Sequence, residues 1–182
     1  MIMSAFLLNG LRCVGLVAGL VPALGWAQAH AAHTHGQARL EIAQDGRALV
    51  LNLTLPLDTA VGFERAPRTA AERQRAEQAL TRLRLREGGF QPDIAAMCQA
   101  REPQLAVGPL GASASAQAHD DHADIEVRYH FECAQPERLH TLATDVFNAW
   151  TRLQVLEVQV ATPRGQWRQS LRRPERSIRL TR

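Results

Sequence analysis

Apolar and polar residues alternate over residues 38–55, which is the pattern of β-strands with one buried face. The apolar positions are Ala38, Leu40 and Ile42 before the Asp45-Gly46 pair, and Leu49, Leu51, Leu53 and Leu55 after it. An Asp-Gly pair between two alternating runs indicates a β-hairpin with a type I′ turn. Pro56 lacks the backbone N–H that a strand ladder needs, so we expect it to end the second strand.

A second alternation covers DIEVRYHFEC, residues 124–133, and predicts a strand whose apolar face contains Cys133. Residues 153–162, LQVLEVQVAT, predict a further strand, and the Pro163-Arg164-Gly165 turn joins it to a hairpin partner, QWRQSLRR. Weaker patterns predict a short strand at residues 104–107 and a last edge strand in RSIRL, residues 176–180.

Two segments have helical spacing. In the first, Thr69 and Glu72 form a capping box, and Gly88-Gly89 is the expected end of the helix. Its apolar positions are Ala76, Ala79, Leu80 and Leu83. In the second, Pro136 is expected to open a helix. The apolar stripe of that helix is Leu139, Leu142, Val146 and Trp150. Residues 56–67 are predicted to be a loop that Val61 and Phe63 attach to the core.

These elements predict an α+β fold with a mostly antiparallel sheet and two helices. One hypothesis divides the chain into two related halves that pack together, a ββα half at residues 30–110 and a βαββ half at residues 124–182. Residues 111–123 are small and polar without periodicity, so they are predicted to be a flexible loop between the halves. No sequence repeat supports the division.

Residues 1–29 resemble a secretory signal peptide. The apolar run from Val14 to Trp26 is shorter than the roughly 20 residues that a membrane span needs, and Ala27-Gln28-Ala29 fits a cleavage site. A misplaced start codon or a retained anchor is the alternative, because Arg12 is the only positive charge before the run. Cleavage would give an exported, periplasmic protein without a membrane span.

Composition argues against several functions. The chain has 21 Arg and no Lys, but these charges are interleaved with 18 acidic residues, so we expect no nucleic-acid partner. The sequence contains no nucleophile motif, phosphate loop or dinucleotide fingerprint. We therefore expect a binding protein and no enzyme.

Cys98 and Cys133 remain if the signal peptide, which contains Cys13, is removed. In an oxidising compartment two cysteines are expected to form a disulfide. The alternative, in which both thiolates bind a metal ion, stays open, although their spacing matches no zinc pattern.

Histidine placement is the strongest chemical signal. Five of the seven histidines form two clusters, one with His30, His33 and His35 and the other with His119 and His122. His33 and His35 share a face if a strand has begun there, and so do His122 and Asp124. Imidazole and carboxylate groups bind Zn²⁺, Cu²⁺ or Ni²⁺. The hypothesis is a metal site that joins the two strand starts. Its ligands are His33, His35, His122 and Asp124, assisted by His119 and Asp120 or Asp121. The alternative is a solvated tail and a polar turn.

Several stretches, in this order, resemble the exported ZrgA-like zinc-binding proteins. They are HTHGQARL, VGFERAP, DIEVRYHFEC and LEVQVATPRGQW. The resemblance implies periplasmic zinc binding beside a high-affinity importer, and a Cys98–Cys133 disulfide. By position, His33 and His35 match the family's leading HxH motif, and His122 with Asp124 matches its H-x-D motif.

Two features depart from this family. Its long loop of His, Asp and Glu is reduced to HDDH here, and Arg65 replaces a histidine. The first functional hypothesis is a periplasmic divalent-metal protein, for zinc with Cu²⁺ or Ni²⁺ as alternatives, that has a zinc importer component as a partner. The second is an exported structural or interaction protein that has lost metal binding.

Overall fold

The computed structural model describes residues 35–85, 88–111 and 124–181. The predicted signal peptide, His30, His33 and the segment from His119 to His122 lie outside the described residues. In the described residues, no helix has the length and apolar character that crossing a membrane requires.

The described residues form ten strands and three α-helices. The strands are β1 (Gln37–Asp45), β2 (Ala48–Pro56), β3 (Phe90–Pro92), β4 (Cys98–Ala100), β5 (Gln104–Ala106), β6 (Asp124–Cys133), β7 (Thr141–Thr144), β8 (Val155–Thr162), β9 (Gly165–Arg172) and β10 (Ser177–Arg179). The helices are α1 (Leu57–Val61), α2 (Ala70–Leu83) and α3 (Val146–Ala149). The fold is α+β in the broad sense, with strands dominating.

A seven-stranded sheet has the order β4-β6-β2-β1-β8-β9, and β5 also pairs with β6. The β1–β8 pairing is parallel and the other pairings are antiparallel. A second sheet has the order β10-β7-β3. The predicted strands are confirmed, and their apolar positions, such as Leu40, Leu51 and Val127, are buried in the core. Burial of these aliphatic faces is the main driving force for the fold.

The predicted β1–β2 hairpin is confirmed. Asp45 pairs with Ala48, so Gly46 and Arg47 form a two-residue turn, and Gly46 has a φ of 53°. The predicted type I′ turn is wrong, because that turn needs a positive φ at both central residues and Arg47 does not have one. Glycine adopts the left-handed conformation at position 46 without steric cost.

Helix α2 has the predicted capping box. The Glu72 N–H donates to the Thr69 hydroxyl and the Thr69 N–H donates to the Glu72 carboxylate. The helix ends at Leu83, earlier than the predicted end at Gly88-Gly89. Gly88 instead packs directly against the ring of the buried Tyr129. A Cβ at position 88 would lie only 2.2 Å from Cζ of that ring, so any other residue would clash there.

The prediction of a helix that begins at Pro136 is wrong. The segment instead forms a short 3-10 turn, strand β7 and the four-residue helix α3. The Asp93 carboxylate accepts the backbone N–H groups of His140 and Thr141 and the Thr141 hydroxyl, at 2.7, 2.7 and 2.6 Å. These bonds hold the backbone extended where a helix would need its amides for its own hydrogen bonds.

The predicted loop at residues 56–67 contains helix α1. Val61 is buried and Phe63 is partly buried against the core, as expected. The hypothesis of two related halves is not confirmed. Strands from residues 30–110 and 124–182 pair with each other, as in β2–β6 and β1–β8, and one hydrophobic cluster includes residues of both.

Cys98 and Cys133 form a disulfide. They are paired positions of β4 and β6, so the bond joins neighbouring strands. Because the thiols are oxidised, they are not available as metal ligands, and the thiolate alternative is excluded for this state.

Candidate metal site

Three metal-ligating side chains meet where β1 begins and β2 ends. Nδ1 of His35 lies 2.5 Å from Oδ2 of Asp58 and 4.0 Å from Oε1 of Glu64. The potential ligand atoms of these three residues all lie within 4.8 Å of one another. We call His35, Asp58 and Glu64 the acidic-histidine cluster.

The register of the hairpin places the first two residues of this cluster together. His35 lies ten residues before Asp45, and Asp58 lies ten residues after its partner Ala48. In an antiparallel hairpin, residues at equal distances from the turn face each other across the two strands. The hairpin register therefore extends to the His35–Asp58 contact, although β2 has already ended at Pro56.

The buried Thr59 side chain links the backbone beside His35 to the Asp58 carboxylate through hydrogen bonds. Its hydroxyl accepts the Gly36 N–H at 3.2 Å, and the same hydroxyl donates to Oδ1 of Asp58 at 3.3 Å. The Gly36 carbonyl accepts the N–H groups of Gln154 and Val155 at the start of β8. Both the histidine-bearing and the aspartate-bearing segments are thus fixed to the main sheet.

Gly62 turns the chain back so that Glu64 reaches the cluster. It ends α1 in the left-handed conformation, with φ 87°, and its N–H donates to the Asp58 carbonyl at 2.8 Å. The Arg152 guanidinium packs on Gly62 so closely that a Cβ there would lie 2.9 Å from Nη2. Only glycine fits this turn without moving Arg152.

A family model for the ZrgA family of zinc uptake proteins matches residues 32–180. The chain belongs to this family. No curated protein matches the chain. All three residues of the acidic-histidine cluster lie inside the region that matches the ZrgA family.

Arg65, the residue that replaces the expected ZrgA-family histidine, contacts helix α2. Its guanidinium donates to both carboxylate oxygens of Glu72, at 2.8 and 3.0 Å. Hydrogen bonds from Arg65 and from the Arg68 N–H lower the pKa of Glu72 to about 2. The pair ties the segment that follows Glu64 to the first turn of α2, so Arg65 positions a cluster residue without being a ligand.

Negative charge surrounds the histidine of the cluster. The hydrogen bond and the charge of Asp58, together with the charge of Glu64, raise the pKa of His35 above its ordinary value of 6.5, while slight desolvation opposes this effect. The same carboxylates that stabilise a proton on the imidazole also attract a divalent cation. A metal ion and a proton would therefore compete for Nδ1.

The structure describes two of the six predicted ligands, His35 and Asp124. His35 belongs to the cluster. Asp124 begins β6 opposite Pro56, so it lies at the same end of the sheet, with β2 between it and β1. His33, His119, Asp120 and His122 lie outside the described residues, so their role as ligands stays a prediction.

Sequence reasoning missed Asp58 and Glu64. The stretch PLDTAVGFERAP was interpreted only through its apolar residues. The sequence did not identify Asp58, because a turn centred on Asp45-Gly46 would place Pro56 opposite His35, whereas the turn at Gly46 and Arg47 places Asp58 there. No signal in the sequence marks Glu64, whose position depends on the chain reversal at Gly62.

Proposed function

We propose that the acidic-histidine cluster binds a divalent cation, zinc, and that the protein serves zinc acquisition in the periplasm. The single observation that supports the proposal most is the convergence of one imidazole and two carboxylates within 4.8 Å in a member of a zinc uptake family. Thr59 donates a part-buried hydrogen bond to Asp58 and accepts a buried one from the Gly36 N–H, so Asp58 and the backbone beside His35 are positioned before a metal ion binds.

The donor set suits zinc. Zn²⁺ takes imidazole nitrogen and carboxylate oxygen and prefers four ligands in a tetrahedron. Three residues provide three of them, and the fourth would be water or one of the predicted histidines His33, His119 and His122. Cu²⁺ and Ni²⁺ accept the same donors, and Cu²⁺ binds nitrogen sites more tightly. Zinc is preferred because of the family's function.

The cluster is accessible, which suits a protein that passes its ion on. The His35 side chain is 76% exposed and that of Glu64 is 58% exposed. An ion held by exposed ligands can be reached by the ligands of a second protein. We propose a zinc importer component as that partner, and no catalysis.

Export is supported by two observations. The Cys98–Cys133 disulfide is typical of an oxidising compartment. The apolar run within residues 1–29 resembles a signal peptide. Together they support the periplasm as the location.

A second candidate function is supported by the His35–Asp58 contact itself. An ionised pair at 2.5 Å is a complete interaction without a metal ion, so the cluster could serve only to fasten α1 to β1. The protein would then be an exported structural or interaction protein that has lost zinc binding.

The test is isothermal titration of chelator-stripped, disulfide-intact protein with Zn²⁺. We expect one site, and we expect His35→Gln and Asp58→Asn each to weaken it by at least about tenfold, because removal even of residues that only orient ligands costs this much. Matched controls are His140→Gln and Glu77→Gln, which alter an exposed histidine and an exposed glutamate away from the cluster. Equal affinity in wild type and both cluster variants would contradict the proposal, and an absence of zinc binding in the wild type would favour the second function.

A further inference from the structure

A cleft lies on the uncovered face of the main sheet, where β6 meets the connection between β4 and β5. Its volume is about 390 Å³. The lining residues are Val50, Arg101, Glu102, Gln104, Arg128 and His130. Both β4 and β5 pair with β6, so residues 101–103 bridge two short strands along its edge. We call this the arginine cleft.

Two of the lining residues, Arg101 and Arg128, have guanidinium donors without a partner among the described residues. The Arg101 backbone N–H donates to the His130 carbonyl at 2.8 Å, which fixes the base of its side chain beside β6. Nε of Arg128 donates to the Asn52 side chain at 2.9 Å. Within the described part of the chain, neither the Arg101 guanidinium nor the terminal nitrogens of Arg128 have a hydrogen-bond or ion-pair partner.

An imidazole nitrogen in the same cleft also lacks a partner. Nε2 of His130 is buried and makes no hydrogen bond. Buried polar atoms without partners are rare in native proteins, and a bound ion or water is a common explanation. This nitrogen has almost no accessible surface, so the accessible donors of the cleft are the side chains of both arginines and the Gln104 side-chain amide.

From these groups we infer that the arginine cleft binds a small oxyanion, a carboxylate or a phosphate. Guanidinium groups bind both kinds of anion through paired, charge-assisted hydrogen bonds. Val50 provides one apolar wall. Glu102 is the one acidic group that lines the cleft, so two arginines leave the lining with a net positive charge even when His130 is neutral.

The cleft is separate from the acidic-histidine cluster. His130 lies six residues along β6 from Asp124, and six residues of strand span roughly 20 Å. Asp124 itself lies at the end of the sheet where the cluster is found. Binding at one site can therefore be removed without altering the ligands of the other, and the two proposals can fail independently.

The test is titration of the full, disulfide-intact protein with succinate and, separately, with inorganic phosphate. We expect saturable binding of at least one probe. Arg101→Gln and Arg128→Gln should each weaken it by about tenfold or more, because each loses charge-assisted hydrogen bonds. Arg172→Gln, which alters an exposed arginine on strand β9 of the same sheet, is the control and should bind as the wild type does.

The outcomes separate the possible anions and both proposals. Binding of succinate alone identifies a carboxylate site, and binding of phosphate alone identifies a phosphate site. Unchanged denaturant unfolding of the Arg101 and Arg128 variants would show that they are folded, whether or not the protein binds zinc. The inference is overturned if neither probe saturates, or if both arginine variants bind the probe as tightly as the wild type.

Discussion

His35 lies beside two carboxylates, whereas His130 lines a cleft with two guanidinium groups. The first imidazole is exposed, and Asp58 raises its pKa. The second has a buried nitrogen without a partner. The same side chain on the same sheet thus has neighbours of opposite charge. The proposed ligands follow these neighbours, a cation at His35 and an anion in the cleft beside His130.

The difference follows from the strands that carry the two residues. His35 stands just before β1, where α1 carries Asp58 and the turn at Gly62 brings Glu64 back toward the imidazole. His130 lies within β6. Arg101 comes from the segment between β4 and β5, which pair with β6, and Arg128 lies on β6 itself, on the same face as His130. A histidine in a sequence therefore predicts a metal site only together with its cross-strand neighbours.

Acidification should produce the largest difference between ligand binding at the acidic-histidine cluster and ligand binding in the arginine cleft. Zinc needs the neutral His35 imidazole, and the pKa of His35 is raised, so zinc affinity should fall as the pH drops through that raised pKa. One competing proton weakens binding by about tenfold per pH unit below the pKa. The guanidinium groups of the arginine cleft keep their charge over the same range, so any change in anion binding should follow the protonation of the anion itself.

The measurement is a pair of titrations, zinc and the bound anion, at a series of pH values. In the metal-free protein, lower pH has the opposite effect on the stability of the fold from its effect on zinc affinity. The His35–Asp58 pair stabilises the fold below the ordinary pKa of 6.5, and this contribution is lost as the pH rises through the raised pKa. Zinc affinity that is independent of pH across this range would show that His35 is not a ligand.

The sequence predicts the strands that carry the candidate metal site, but not the register that brings its residues together. The alternation gave both strands of the hairpin, whereas a turn centred on Asp45-Gly46 would place Pro56 opposite His35, and the observed turn at Gly46 and Arg47 places Asp58 there. Glu64 could not be predicted either, because its approach depends on a left-handed residue and on the packing of Arg152, which is distant in the sequence.

The segment at residues 136–150 shows why spacing alone fails. Leu139, Leu142, Val146 and Trp150 are all buried, as the helical pattern required. Their spacing alone is compatible with a helix. Asp93, which lies 47 residues before His140, nevertheless accepts the backbone N–H groups of His140 and Thr141, and the segment is extended there. A hydrogen bond of such long range has no signature in a local pattern, and the arginine cleft was missed for the same reason.

Substitution of Gly62 should show how far the zinc site depends on its chain reversal. Gly62→Ala places a Cβ at φ 87° and 2.9 Å from Nη2 of Arg152, so the turn and the guanidinium must move. Gly46→Ala is the matched control, because its φ is also positive, at 53°, and its Cβ would meet nothing within 4 Å. Each should lower the free energy of unfolding by about 1–2 kcal/mol through left-handed strain.

Only Gly62→Ala should also weaken zinc binding, by several-fold, while anion binding in the arginine cleft stays unchanged in both variants. Denaturant unfolding and zinc titration of the two proteins provide the measurements. If Gly46→Ala weakened zinc binding as much as Gly62→Ala, the loss would reflect general destabilisation, and the role of Gly62 in directing Glu64 would be rejected.

The smallest effect is expected from Glu64→Gln. This variant tests how much each of the two carboxylates contributes to the raised pKa of His35. Asp58 contacts Nδ1 of His35 at 2.5 Å, whereas Glu64 lies 4.0 Å away and is more exposed to solvent. Solvent screens the more distant charge, so Glu64→Gln should lower the pKa of His35 less than Asp58→Asn does. An NMR titration of the His35 ring protons in the two variants measures both shifts. A shift in Glu64→Gln as large as that in Asp58→Asn would mean that Glu64 approaches His35 as closely as Asp58 does in solution, and the two carboxylates would then be equivalent partners for a metal ion.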